Sequence, residues 1–212
     1  MLFRSNKAMF GVSFANLKIL TKKIKKNHPL ALKLWATGNM DAMILATMIA
    51  DPSMLKDNEI REWVKSCDYY PLTDSFAKEI VYKNPAYQKY IDEWANSPDE
   101  WEARVAWILI AIQAREDQKR DDSYFADLIP IIIDQIHKRK NRTKEAMNYA
   151  LIAIGIRNEA LRVLAIKAAD TIGKVQVDHG ETSCKTPLAR EYIENAVEHY
   201  RLAEKTKRKK VE

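Results

Sequence analysis

A chain of 212 residues, 47% hydrophobic and 30% charged, is long enough to bury a core in one or at most two domains. Its 5 glycines and 7 prolines are too few for the turns of a sheet-rich fold, and its 2 cysteines exclude a disulfide framework and a four-cysteine metal site. No apolar run approaches the ~20 residues that span a bilayer, residues 1–7 hold no signal-peptide core, and the formal charge of +6 suits a polyanionic partner. The composition therefore predicts a soluble, cytoplasmic, all-α protein with no membrane contact.

Ser13 is placed to cap a first helix whose stripe is Phe14, Leu17, Leu20 and Ile24, with Lys18, Lys22, Lys23, Lys25 and Lys26 on its flanks. Asn27-His28-Pro29 breaks that helix, and residues 30–35 form a short second one that Gly38-Asn39 stops. A third runs over residues 40–50 to the Asp51-Pro52 stop, and Asp57 is the expected cap of a helix carrying Ile60, Trp63 and Val64. Residues 67–75 read as the connection into a helix over 76–82, and Pro85 starts another that ends near Asn96. Ser97-Pro98-Asp99-Glu100 sets a cap, a proline and first-turn acids in order. A long helix follows to Arg115, with Trp101, Val105, Ile108 and Ile112 as its stripe.

Residues 123–139 form the next helix, with a kink or break expected at Pro130. After the basic turn at 137–142 comes a helix over 143–154, with Ala146, Ala150 and Ala153 on one side for close approach of a neighbour, ended by Gly155. Asn158 caps a helix through Leu161, Leu164 and Ala168 to Gly173, and residues 187–204 form the last helix. The recurring unit is a short helix, a tight turn and a second short helix, without a strand pattern. Such units stack as an α-α superhelix, a solenoid of antiparallel helix pairs with a concave surface for a long partner. One domain over residues 1–204 and a frayed basic tail over 205–212 are expected, as a monomer.

The polar stretch 174–187 interrupts the helices. Its His179, Glu181 and Cys184 invite a metal reading, but no fourth ligand is evident and the spacing matches no standard site. A loop tied by its own side-chain hydrogen bonds is favoured, with no metal and no cofactor.

Two stretches concentrate chemistry. Cys67-Asp68-Tyr69-Tyr70-Pro71-Leu72-Thr73-Asp74-Ser75 offers paired aromatics and a carboxylate, and Trp101-Glu102-Ala103-Arg104 adds a tryptophan and an arginine. Together they give a cleft both stacking surface and both signs of charge, and they are read as the active site. Each residue also has a plainer role: Asp74 as cap of a helix from Ser75, Arg104 as the partner of Glu100 four residues before it, Tyr149 as core. Trp35, Trp63, Trp94 and Trp107 read as helix-packing residues.

Gly11-Val12-Ser13, Leu34-Trp35, Tyr69-Tyr70 with Asp74, Trp101 with Arg104, Lys144-Glu145-Ala146 and the 177–187 loop, taken in this order, resemble the DNA alkylation repair proteins, the AlkD-like glycosylases built from HEAT-like repeats. The resemblance covers nearly the whole chain. It implies excision of N3- or N7-alkylated purines from duplex DNA without metal or cofactor. It gives Asp74 the role of the catalytic carboxylate, Arg104 that of the arginine, and Tyr70 and Tyr149 those of the two aromatics. Tyrosine stands at both aromatic positions, where well-studied members look tryptophan-rich.

The chemistry is coherent by itself. An N-alkylated purine is already a cationic leaving group, so a fixed carboxylate that stabilises the oxocarbenium-like sugar and orients water suffices. Aromatic faces stack on sugar or cationic base, and an arginine can hold a phosphate bidentately. Lys18, Lys22, Lys25, Lys138, Arg139, Lys140, Arg142 and Lys144 are the candidate DNA-binding cations. The rival reading is a non-catalytic HEAT-like module that binds DNA or another protein through the same surface.

Overall fold

The computed structural model describes residues 6–181 and 183–208, and the chain divides into two compact units, Met1–Leu109 and Ile110–Glu212. Among the described residues there is no β-strand, and no helix is long and apolar enough to cross a membrane.

In the first unit, α1 (Phe14–Ile24) begins where expected, with the Ser13 hydroxyl accepting from the Asn16 amide at 3.3 Å. Its apolar stripe is not a core stripe, because Leu17 alone is buried and Phe14 and Leu20 are exposed. The Asn27-His28-Pro29 break is also a start. Asn27 Oδ1 accepts from the Leu30 amide at 3.1 Å, and Pro29 sits in the first turn of α2 (His28–Ala36), where a missing N–H costs no helix bond. Asn39, expected as a stop, caps α3 (Met40–Ile49) instead, accepting from the Asp41 and Ala42 amides at 3.1 and 3.2 Å.

A 3-10 turn at Pro52–Met54 leads to α4 (Asp57–Lys65), in which Asp57 is the first helical residue rather than the cap. Lys89 and Arg61, with the Tyr90 hydroxyl, occupy the Asp57 carboxylate and hold it below the ordinary carboxylate range. These contacts tie α4 to α6 (Tyr87–Trp94). The largest departure lies between them: residues 70–76 are not connection but α5 (Tyr70–Phe76), opened by Pro71 in its first turn. α5 runs into a π-turn at Ala77–Val81, marked by a bond from the Tyr82 amide to the Ala77 carbonyl at 2.8 Å. In this unit half-buried Trp35 stacks on buried Trp63 at 3.9 Å, with buried Phe76 6.3 Å from each. A buried Thr47–Ser75 hydroxyl pair at 2.6 Å joins α3 to α5. Helix α7 (Glu100–Glu116), whose first turn is capped by Asp99 Oδ1 on the Trp101 and Glu102 amides at 2.9 and 3.0 Å, contains the boundary between the units.

In the second unit, α8 (Asp122–Gln135) is capped by Asp121 and continues through Pro130 before a 3-10 turn at Ile136–Lys138. α9 (Asn141–Arg157) starts earlier than expected and passes through Gly155, which does not end it. α10 (Glu159–Ile172) has the Asn158 cap, Oδ1 accepting from the Leu161 amide at 3.0 Å, and stops at Gly173, whose φ of 66° suits a residue without Cβ. α11 (Ala189–Arg208) extends past the expected end into the basic tail, of which residues 209–212 lie outside the described residues. α9 packs against α10 and α11.

Gly155 is the reason those helices approach closely. A Cβ there would lie 2.6 Å from Ile193 Cδ1 and 3.0 Å from Ala165 Cβ. Gly155→Val is expected to destabilise the protein by about 2 kcal/mol through overpacking, read as a lowered urea midpoint with an unchanged slope.

Candidate functional site

In the first unit α5 and α7 bring Asp74, Arg104 and Tyr70 together. Asp74 is the fifth residue of α5, so it is not the cap of a helix from Ser75. Arg104 Nε and Nη2 donate to Asp74 Oδ1 and Oδ2 at 2.7 and 2.8 Å, a bidentate pair. The two partners differ in environment, with the Arg104 side chain 0% and the Asp74 side chain 34% exposed. The Arg104 guanidinium also lies 5.5 Å from the centroid of the Tyr70 ring, and that ring lies 5.0 Å from that of Tyr69. Arg104 is therefore an internal anchor of a carboxylate whose outer side faces solvent. Direct capture of a phosphate, which the sequence suggests for this arginine, does not suit a guanidinium buried to this extent. Lys7 Nζ reaches Asp68 Oδ2 at 3.4 Å just before the paired tyrosines.

Cys67, on the inner side of this stretch, is fully buried, and burial pushes its thiol up to about 12. Cys184 is exposed.

Tyr149 belongs to a second cluster, within the second unit. Its hydroxyl donates to Glu145 Oε1 at 3.4 Å, Arg142 Nη1 donates to Glu145 Oε2 at 3.1 Å, and His179 Nδ1 lies 3.8 Å from Glu145 Oε1. His179 Nε2 in turn shares a hydrogen with the Thr186 hydroxyl at 2.9 Å. The 174–187 loop is further tied to α9 by Asn141, which bonds the carbonyl and amide of Asp178 at 2.8 and 2.7 Å, and by Asn148 on the Pro187 carbonyl at 3.0 Å. Most of these ties run to α9 rather than within the loop itself. Among the described residues no group of three His, Cys, Asp or Glu side chains is placed to hold a metal.

Arg142 leaves the set of candidate DNA-binding cations, because it is buried against Glu145. Lys138 is exposed and paired with Asp134 at 2.6 Å, a contact of small energy in water. Arg139 is half-buried, and burial holds its guanidinium below its ordinary value. Lys18, Lys22, Lys25 and Lys140 are exposed and Lys144 half-buried, and among the described residues none of the five has an ion pair.

Residues 2–199 match the family described as DNA alkylation repair enzyme. The chain belongs to the DNA alkylation repair enzyme family. It is also similar to a solved protein of a new family related to the HEAT-like repeat DNA glycosylases with affinity for branched DNA structures. That likeness is 31% identity over 92% of this chain and 83% of the other, with a TM-score of 0.82. The helices are accordingly those of a HEAT-like repeat fold. Two uncharacterized proteins, from Listeria innocua serovar 6a and Listeria monocytogenes serovar 1/2a, are 29% and 28% identical over 192 residues, 89% of this chain and 83% of theirs.

For this member of the DNA alkylation repair enzyme family, the residue that sequence reasoning leaves without a role is Glu145. The Lys144-Glu145-Ala146 run was visible, but only the fold shows that Glu145 collects Arg142, Tyr149 and His179.

The asymmetric burial of the Asp74–Arg104 pair gives a stability expectation. Asp74→Asn leaves a buried guanidinium without its bidentate counter-ion and is expected to cost about 3 kcal/mol. The double variant Asp74→Asn/Arg104→Met, which removes both charges, is expected to lie within about 1 kcal/mol of wild type. Urea denaturation of the two proteins checks the ordering. Thiol chemistry gives another: at pH 8, Ellman's reagent is expected to titrate one equivalent, Cys184, from native protein, and two only after denaturation.

Proposed function

We propose that this protein is a monofunctional DNA glycosylase that excises N3- or N7-alkylated purines from duplex DNA by hydrolysis of the N-glycosidic bond. The observation that carries the reading is the anchored carboxylate: Asp74 has both oxygens fixed by a buried arginine and its outer side open to solvent. As the bond to a cationic base stretches, positive charge moves to the sugar, and a carboxylate already held in place stabilises it without reorganising. The free lone pairs of the same oxygens can orient the attacking water. Arg104 is a positioning residue in this scheme, and Tyr70 supplies an aromatic face beside it. Because the leaving base is already charged, no acid has to protonate it.

A second reading is favoured by one specific observation: the solved relative has affinity for branched DNA structures. In that reading the chain is a non-catalytic binder of DNA shape, and tyrosine rather than tryptophan at position 70 fits a reduced demand for stacking on a cationic base.

The deciding measurement is incubation of purified protein with methylated duplex DNA, followed by chromatography of released bases and counting of abasic sites. Release of N3- or N7-methylpurines is expected. The folded double variant Asp74→Asn/Arg104→Met should release them at least about a hundredfold more slowly, corresponding to ~3 kcal/mol of transition-state stabilisation. No release by folded wild type overturns the glycosylase reading and leaves the second.

A further inference from the structure

Residues 8–12 form a strap against the N-terminus of α3. The Met40 amide donates to the Ala8 carbonyl at 2.8 Å, and Asp41 Oδ2 accepts from the amides of Phe10, Gly11 and Val12 at 2.6, 2.9 and 3.4 Å. Consecutive amides aimed at one point form an anion-binding nest, and Gly11, at φ 76°, supplies the left-handed residue that such a nest requires. Asp41 fills it from the first turn of α3, where a negative charge is favoured by the helix N-terminus, and it is buried. The strap's backbone is thus fixed.

Phe10 nevertheless stands 81% exposed, and Phe14, the first residue of α1, is 44% exposed. Single exposed aromatics are ordinary on protein surfaces. One whose own amide is bonded to a buried carboxylate is different, because its backbone is held and only the side-chain torsions remain to reorient the ring. Along α1, Phe14, Lys18 and Lys22 follow at intervals of four residues, which places them on one helical face; Lys25 follows as the C-cap of the helix, and all four residues are exposed. Phe14 shares the helical face of Lys18 and Lys22, Phe10 precedes it in the strap, and among the described residues none of the three lysines has an ion pair.

We propose that Phe10 and Phe14, with Lys18, Lys22 and Lys25, form a surface that binds DNA where its stacking is interrupted, as at a branch point, Phe10 lying on the exposed face of a terminal base pair. The inference rests on the reading of the chain as a DNA-binding protein but not on excision. Lysines attract any stretch of phosphate backbone and do not discriminate among them. A projecting aromatic ring does, because in an uninterrupted duplex every base face away from the two ends is already stacked, whereas a branch point leaves internal faces open and one base stacked on an aromatic ring changes affinity about tenfold or more. A protein partner fits less well, since lysine is depleted at the cores of protein interfaces.

The test is fluorescence anisotropy with a three-way junction and a linear duplex of equal nucleotide number, the arm and duplex ends closed by hairpin loops, at one salt concentration. Wild type is expected to bind the junction about tenfold tighter than the duplex. Phe10→Ala should bring that ratio to within about threefold of one, while Phe10→Trp, which restores an aromatic face, keeps it. The triple variant Lys18→Gln/Lys22→Gln/Lys25→Gln should weaken both DNAs together and flatten the dependence on salt. Circular dichroism and Tm establish that Phe10→Ala is folded. A wild-type-like ratio in folded Phe10→Ala, or no junction preference in wild type, overturns the proposal. Excision measured alongside keeps the two readings apart. A Phe10-dependent preference without base release sinks the glycosylase reading alone, and base release with a Phe10-independent ratio sinks this one alone.

Discussion

A guanidinium with no exposed surface cannot be left without a counter-charge, and in the first unit that requirement falls on Asp74. Removing an ion from water costs several kcal/mol, which only close, well-directed partners offset. The fork of Arg104 meets both carboxylate oxygens at hydrogen-bonding distance, and this fixes the rotation of α5 about its axis relative to α7. The start of α5 at Tyr70, the placement of the tyrosine pair and the widened turn after it all have to be compatible with that one contact. What faces solvent is therefore the outer edge of an oriented carboxylate rather than a mobile one.

The same device recurs elsewhere in the chain. Asp41 organises the N-terminal strap, Asp57 joins α4 to α6, and Glu145 gathers the polar cluster of α9 and the loop that follows α10. In the second unit, Arg157 inverts the pattern. It donates to Asp122 and to the carbonyls of Ala114, Asp117 and Arg120 at 2.8 to 3.1 Å, so one buried cation secures the turn between α7 and α8. Short helices joined by tight turns leave many terminal carbonyls and amides, and charged side chains turned inward satisfy them.

Helix existence was legible in the sequence, because apolar spacing and capping residues at Ser13, Asn158 and Gly173 act locally. Function at the helix ends was less so. Asn39 reads equally as a stop or a cap, and only its side chain's choice of the Asp41 and Ala42 amides decides. Pro71 and the polar residues beside it looked like a connection, since a proline in a first turn and a proline in a loop are the same letter. Asp74 and Arg104 stand out in the sequence as chemistry-bearing residues, but that each is the other's partner across 30 positions depends on packing, which no local pattern carries. Arg142 misled for the mirror reason. It sits in a basic run, yet α9 turns it inward onto Glu145. The reach of Asp41 to three amides of the strap was equally invisible.

The π-turn at Ala77–Val81 sits immediately after the helix that carries Asp74. Such a turn accommodates one residue more than an α-helical turn, so the chain leaves it about 100°, the angular step of one residue, away from where an α-helical turn of the same rise would deliver it. A lineage that lost one residue there would regain a regular helix. It could then keep Asp74 on Arg104 only by rotating everything downstream, or keep the downstream packing only by swinging the carboxylate off its anchor. The widened turn thus sets the point and direction at which the chain leaves the helix that carries Asp74 and enters the turn residues 82–86. Its length is under the same constraint as the charged residues themselves.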